Sequence, residues 1–468
     1  MLDLKKISSV ELTKEYINRI NSVDKKLNSY ITVCEDEAIK TAKLAQKMID
    51  SGVSGVLTGI PLSVKDNICT KNIATTCASK MLENFIPDYD AEVVTKIKNQ
   101  NGVILGKTNM DEFAMGSTSA SSYFGRVKNP YNEKCTSGGS SGGAAAAVSA
   151  KLCVASIASD TGGSIRQPAA FCGVTGIKPT YSTVSRRGLV AFAPSLDQIG
   201  VIAGSAVDTG YVLDVISGKD NGDMTSGYNE KSFISQCGKS IKGMKIGIVA
   251  EFFSDSTDDE VKKAVLDAAR FYESCGCELI SCSLPSLKYA VSAYYIISSA
   301  EAASNLERFD GIRYGYRFSD GESYEEIITK SRSEGFGEEV KRRIMLGNYV
   351  LSSRYYDKYY KKALQVREKL KFEYSEILKE CNFILTPTAP FAADAGLIDA
   401  NPVETYLSDV CTVSANIAGL PAISTTCGYN SKGMPIGMSL TGRAFDEKTI
   451  IGAADVFERN FERREAIL

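Results

Sequence analysis

A run rich in glycine and serine, from 138 to 173, lies in a chain that contains no histidine. It opens as Gly138-Gly139-Ser140-Ser141-Gly142-Gly143 and passes through Asp160-Thr161-Gly162-Gly163-Ser164-Ile165-Arg166. Glycine lets backbone N–H groups crowd a reacting carbonyl, so two serines in this company suit nucleophile chemistry. Without histidine the usual general base for serine is missing. If a serine here attacks, the fold must bring another base to it from elsewhere in the chain. The candidate is Lys65, in Gly59-Ile60-Pro61-Leu62-Ser63-Val64-Lys65-Asp66-Asn67.

Gly138-x-Ser140-x-Gly142 matches the G-x-S-x-G elbow of α/β-hydrolases, but that triad needs a histidine. Lysine can replace it, because a desolvated lysine has its pKa lowered towards about 7–8. With Ser140 as a proton relay, Lys65 and Ser164 need not touch. Thr161-Gly162-Gly163-Ser164 offers consecutive backbone amides for a developing oxyanion, and losing one such donor costs about 2.7–4 kcal/mol. The bland reading of any one serine in a glycine-rich loop is a turn residue, and that of the glycines is a tight turn entering a helix.

Organisation along the chain favours an α/β fold. Ser8 followed by Glu11 is a capping-box signal, with Leu12, Tyr16 and Ile20 along one helical face. A second helix is expected over 35–50 and a strand over Ile60–Val64, leaving Lys65 near the strand's C-terminal end. A helix is expected over 91–99, a turn at Asn101-Gly102 and a short strand over Val103–Leu105. After Gly143 the run AAAAVSA begins a helix, so the GGSSGG loop precedes a helix N-terminus, where free N–H donors collect. The polar stretch 217–244 reads as a surface insertion. Strands follow at Lys245–Val249 and Glu278–Ile280 with a helix over 258–274 between them. A long charged helix is expected over 356–380 and a strand over Phe383–Leu385.

Composition narrows the partners. A net charge of −2 and a pI near 5.7 argue against a nucleic-acid surface on this chain alone. The 13 cysteines are scattered and odd in number, which reads as reduced thiols in the cytoplasm. No apolar stretch approaches the roughly 18 residues of a membrane span. Gly102-Val103-Ile104-Leu105-Gly106-Lys107-Thr108 is one residue short of phosphate-loop spacing, and Cys275, Cys277 and Cys282 do not meet zinc spacing. The Lys/Arg-rich stretch 358–371 is most simply the solvated face of a helix.

The two catalytic stretches together resemble the amidase signature family, whose serine hydrolases use a Ser–Ser–Lys triad. Lys65 precedes Ser140 by 75 residues and Ser164 follows it by 24, which fits that family. GKTNMDEFAMGS, SIRQPAAFCG, GLVAFAPSLDQIG, ERFDGIRYG, RRIMLGNYVLSSRYYDKYYKKA and ANIAGLPAIS narrow the resemblance to the glutaminase subunits of glutamyl-tRNA(Gln) amidotransferases, over roughly residues 8 to 445. The resemblance implies one amidase domain over 1–468: N-terminal helices about 8–50, a catalytic core about 55–205, the polar insertion about 217–244, and the rest of the core about 245–468. It implies a mixed central sheet flanked by helices and a cis Gly139–Ser140 peptide bond. Its roles are Ser164 as nucleophile, Ser140 as relay, Lys65 as base, and the amides of Thr161, Gly162, Gly163 and Ser164 as oxyanion hole. Arg343 (or Arg342, in the other register) would hold the α-carboxylate of glutamine, Asp409 its α-ammonium, and Tyr294 would line the pocket. It further implies no cofactor on this chain. ATP and Mg²⁺ are expected at a partner, within a heterotrimer completed by a tRNA-binding B subunit plus a small C subunit. Departures from the family are Ser137, where proline is usual, and Thr118–Ser122, where relatives carry a Glu-Asn pair. A stand-alone amidase for small amides and a silent scaffold are the other readings.

Overall fold

The computed structural model describes residues 2, 4, 6–227 and 232–466. In chain order the strands are Tyr30–Val33 (β1), Pro61–Lys65 (β2), Val103–Thr108 (β3), Lys128–Asn129 (β4), Asn132–Thr136 (β5), Ala155–Asp160 (β6), Thr175–Lys178 (β7), Gln198–Ala203 (β8), Lys245–Val249 (β9), Glu278–Cys282 (β10), Phe383–Pro387 (β11), Ala422–Tyr429 (β12) and Pro435–Gly442 (β13). β4 and β5 pair with each other, and the rest form one 11-stranded sheet in the order β1-β3-β2-β6-β8-β7-β12-β13-β11-β9-β10. β2 runs parallel to both β3 and β6. Antiparallel pairing then carries the sheet from β6 through β8, β7, β12 and β13 to β11, and β11, β9 and β10 are parallel again. The expected α/β architecture, a mixed sheet with helices on its faces, is what forms.

The helices are Ser9–Leu27 (α1), Glu35–Asp50 (α2), Glu92–Asn99 (α3), Gly142–Ser149 (α4), Arg166–Phe171 (α5), Ala206–Ile216 (α6), Asp259–Ser274 (α7), Ala290–Leu306 (α8), Tyr324–Gly335 (α9), Glu338–Leu351 (α10), Lys361–Glu380 (α11), Pro402–Leu407 (α12), Val413–Ala418 (α13) and Glu447–Glu458 (α14). Every residue of β2, β6 and β8 is buried, as befits strands covered on both faces. On one face Leu62, Val64, Ile157, Ile199 and Val201 pack with Val94 and Ile97 of α3, Leu213 of α6 and Ile450 of α14. On the other, Val103, Leu105, Ala158 and Ile202 meet Ile17 and Ile20 of α1, Ala42 of α2 and the alanines of α4. A third cluster joins α8 and α11 to Val249 and Ile384 of the distal strands.

The capping box at Ser8 forms: its hydroxyl accepts from the Glu11 N–H at 3.1 Å, and the Glu11 carboxylate accepts from the Ser8 N–H at 2.9 Å. The buried face of α1 is rotated from the expected one. Ser9, Thr13, Ile17 and Ile20 are buried, and Leu12 and Tyr16 only partly so. On that face Ser9 Oγ donates to the Gly59 carbonyl of the loop before β2 at 3.2 Å, and Ile17 and Ile20 pack with Ala42, Val103 and Leu105. The helix expected from 356 begins with a π-helical turn, Tyr356–Tyr360, and becomes α-helical at Lys361.

In the polar stretch 217–244, residues 228–231 lie outside the described residues, and the remainder forms no helix or strand. Phe233 and Ile241 are buried, Phe233 N–H donates to Asp214 of α6 at 2.7 Å, and Gly238 N–H donates to Asp455 of α14 at 2.8 Å. The segment therefore lies along those two helices.

Candidate active site

Parallel pairing of β2 with β6 brings their C-terminal ends to one edge of the sheet, where ligands of α/β proteins gather. Lys65 is the last residue of β2, and Asp160 the last of β6, opening the loop that carries Ser164 into α5. The GGSSGG loop ends at the N-terminus of α4, a helix buried on every side. Gly143 admits the approach of that helix, because a Cβ there would fall 2.3 Å from the Asn109 carbonyl oxygen.

Lys65 is completely buried. Its Nζ donates to Ser140 Oγ and Ser141 Oγ, each at 2.8 Å, and to Ser159 Oγ at 3.1 Å. Burial lowers its pKa to about 7, against the opposing fields of Asp111, Asp160 and Asp197. The Gly139–Ser140 bond is cis. Gln167 clasps this loop, its Oε1 accepting from Gly139 N–H at 2.9 Å while its Nε2 donates to the Ser117 carbonyl at 3.0 Å. The two serine loops are joined by Ser141 N–H donating to the Ser164 carbonyl at 3.2 Å. Ser140 is fully enclosed, and Ser164 is buried with 7% exposure.

Asp160 shapes the Ser164 loop. Its Oδ1 accepts from Gly163 N–H at 2.8 Å and from Asn416 Nδ2 at 2.7 Å, and its Oδ2 from Ile165 N–H and Arg166 Nε, both at 3.1 Å. Burial alone would raise this carboxyl, but Arg166 outweighs it and holds the pKa at about 2. Two glycines are required by contact. A Cβ at Gly162 would lie 2.4 Å from the Tyr294 ring, and one at Gly163, whose φ is +135°, 2.2 Å from Thr412 Oγ1.

Of the two arginines, Arg343 is buried and Arg342 keeps 45% of its side chain exposed, paired with Glu339. The Arg343 guanidinium lies 4.4 Å from the Tyr295 ring centroid and 5.0 Å from that of Tyr406, and its Nε donates to Glu339 at 2.6 Å. Its Nη1 is buried with no partner among the described residues. Asp409 accepts from Ser117 Oγ at 2.9 Å and from Tyr295 OH at 2.7 Å. Burial raises its carboxyl to about 6. A cavity of about 400 Å³ is lined by Ser117, Arg343, Tyr406, Glu339 and Ala120 among others. A larger one of about 1000 Å³ is bounded by Lys80, Tyr89, Arg308 and Tyr316, and the triad candidates line neither cavity.

Tyr295, Tyr406, Ser117 and Glu339 escaped the sequence reading. Tyr294 and Tyr295 are adjacent on α8 and both buried, and neighbouring helical side chains diverge by about 100°, so only packing decides their targets. Tyr294 covers Gly162, while Tyr295 bridges Arg343 and Asp409. The loop 118–122 is knit to Asp111, which accepts from Ser119 N–H at 2.9 Å and Ser121 Oγ at 2.9 Å. Ser137 is buried, its carbonyl accepting from Cys172 Sγ at 3.3 Å. Lys107, in the would-be phosphate loop, is buried against Asp66 at 3.4 Å. Among the described residues no group of three His, Cys, Asp or Glu side chains could hold a metal, and no helix is long and apolar enough to cross a membrane.

The α/β sheet with a buried lysine set against two serine loops is the architecture of an amidase-type enzyme. The chain belongs to the amidase family, whose sequence profile matches residues 11–451. It is 51% identical over 464 residues to the A subunit of the glutamyl-tRNA(Gln) amidotransferase from Ruminiclostridium cellulolyticum, covering 98% of this chain and 96% of that one. The crystal structure of the Thermotoga maritima protein of the same name superposes with a TM-score of 0.81 at 36% identity, covering 100% of this chain and 99% of that one. The native peptide amidase of Stenotrophomonas maltophilia superposes with a TM-score of 0.83 at 26% identity, covering 99% and 96%.

Proposed function

We propose that this chain is the glutaminase subunit of a glutamyl-tRNA(Gln) amidotransferase. Ser164 Oγ attacks the side-chain amide carbon of glutamine while its proton passes to Ser140, whose own proton passes to Lys65 Nζ. The proton returns by the same route to the departing nitrogen, ammonia leaves, and water releases glutamate from the acyl-enzyme. Gly163 N–H is turned towards Asp160, so the oxyanion falls to the amides of Thr161, Gly162 and Ser164. The observation that carries this reading is the buried Lys65 Nζ, 2.8 Å from Ser140 Oγ, with a pKa of about 7.

Arg343 and Asp409 receive the carboxylate and ammonium of glutamine. The unpartnered Nη1 supports this, since a buried guanidinium N–H is costly to leave unbonded and a carboxylate would satisfy it. The ammonia then serves a partner B subunit that binds tRNA and activates it with ATP and Mg²⁺, in a cytoplasmic heterotrimer with a small C subunit. The test is co-expression with candidate partners and a glutamine-dependent amidation assay on Glu-tRNA(Gln). Efficient hydrolysis of simple amides, with glutamine poorly used, would hand the case to a stand-alone amidase.

A further inference from the structure

Glu112 is a buried carboxylate that the reaction above does not use. Its Oε1 accepts from the Ser79 hydroxyl and its Oε2 from Gly337 N–H at 2.8 Å. Gly337 is the N-cap of α10, and its own N–H, a donor with no partner inside the helix, is satisfied by Glu112 from a remote part of the chain. A negative group there also complements the positive end of the helix dipole. A Cβ on Gly337 would fall 2.4 Å from Glu112 Oε2, so a side chain there would press on this carboxylate.

What α10 carries gives this clamp its consequence. Glu339, in the first turn, takes Arg343 Nε at 2.6 Å and Tyr406 OH at 2.8 Å. Fixing the first turn therefore fixes the carboxylate that orients the Arg343 guanidinium. On its other side Glu112 is tied to the catalytic loops. Its N–H donates to Ser121 Oγ at 3.1 Å, and the N–H of neighbouring Asp111 donates to the Ser140 carbonyl at 3.1 Å. One dipeptide thus holds the Ser140 loop with its backbone and the arginine-bearing helix with a side chain.

We propose that Glu112 is a positioning residue for substrate binding, setting where the Arg343 guanidinium stands relative to the Ser140 and Ser164 loops. The proposal rests on the reading of Arg343 as the carboxylate anchor. The experiment is steady-state hydrolysis by the full chain of glutamine and of a neutral short amide, with Glu112→Ala, Glu112→Gln and Arg343→Ala compared. Glu112→Ala is expected to raise KM for glutamine about tenfold or more, with kcat and the neutral amide changed by no more than about twofold. Glu112→Gln, which keeps an acceptor for Gly337, is expected to recover most of that loss. Should Glu112→Ala fail to fold, Gly337→Ala presses on the same contact and is expected to give the same KM-confined loss. An unchanged KM in the Glu112 and Gly337 variants, with KM raised in Arg343→Ala, would overturn the positioning role and leave the anchor reading standing. Equal losses on both substrates would overturn it in favour of general support of the fold. An unchanged glutamine KM in Arg343→Ala would remove the anchor reading, and this proposal with it.

Discussion

Lys65 carries a conflict between stability and function. Its pKa of about 7, pulled down by burial, keeps a large neutral fraction at physiological pH, and only the neutral amine can accept a proton. Glutamine kcat/KM should therefore rise with pH through about 7, and Lys65→Ala should lower the rate by about 10²–10⁴-fold without unfolding the protein. Ser164→Ala should abolish acyl-enzyme formation altogether, read by mass spectrometry after mixing with substrate. The linkage has a definite sign. The folded pKa lies below the unfolded one, near 10.5, so the unfolded chain binds more protons in between. The burden on stability is absent above that window, grows as pH falls through it, and is complete below about 7. Lys65→Met should thus be more stable than the parent at pH 6 and gain little at pH 11, measured by denaturant unfolding at both. Asp409 adds a second limb. Burial places its carboxyl at about 6, and a protonated acid cannot hold an ammonium, so KM for glutamine should climb below that pH. Asp409→Asn should flatten that climb. Arg343→Ala and Asp409→Ala should each lose about 2–5 kcal/mol in glutamine kcat/KM while sparing a neutral amide.

Among the elements, the loop from Asp160 to Arg166 is closely confined. Gly162 is pressed by Tyr294, and Gly163 combines a left-handed φ with contact from Thr412. Gly162→Ala should displace either the tyrosine or the amides, costing about 10²–10³ in kcat, whereas its melting temperature should shift by only a few degrees. A Gly162→Ala/Tyr294→Ala double variant that regains part of the loss would place the fault in that contact. Local elements were legible in the sequence where side chains act on their own backbone. The Ser8 cap, the strand ending at Lys65 and the helix opening after GGSSGG all rest on neighbours within a few positions. The buried face of α1 was not legible, since what it packs against, from Gly59 to the alanines of α4, is remote in sequence. Nor was the π-helical turn at Tyr356, where Tyr356 meets Tyr360 and Tyr359 meets Tyr349 with tilted rings. The lack of histidine singled out Lys65, which does meet Ser140, while the place of Ser164 beside them came from the family resemblance. Tyr295 was hidden, because its role depends on two charges that meet only in the folded protein.

For the molecule as a whole, the alternation of strands and helices pointed to α/β, but strand order could not be read from it. β12 and β13, late in the chain, insert between β7 and β11, so the sheet is completed by pairings across more than 200 residues. Such order follows from burial of both faces and not from any local signal. Lys65, Ser140 and Ser164 all come from the early strands and the loops that follow them, whereas Tyr294, Arg343 and Asp409 come from later segments, joined to the first group by Ser117. On the proposed reading the chain is written as two paragraphs, one for breaking a C–N bond and one for choosing whose bond is broken. Drift in the second can retarget the protein while the first is inherited unchanged, provided the joint at Ser117 and the glycines facing Tyr294 and Thr412 are kept.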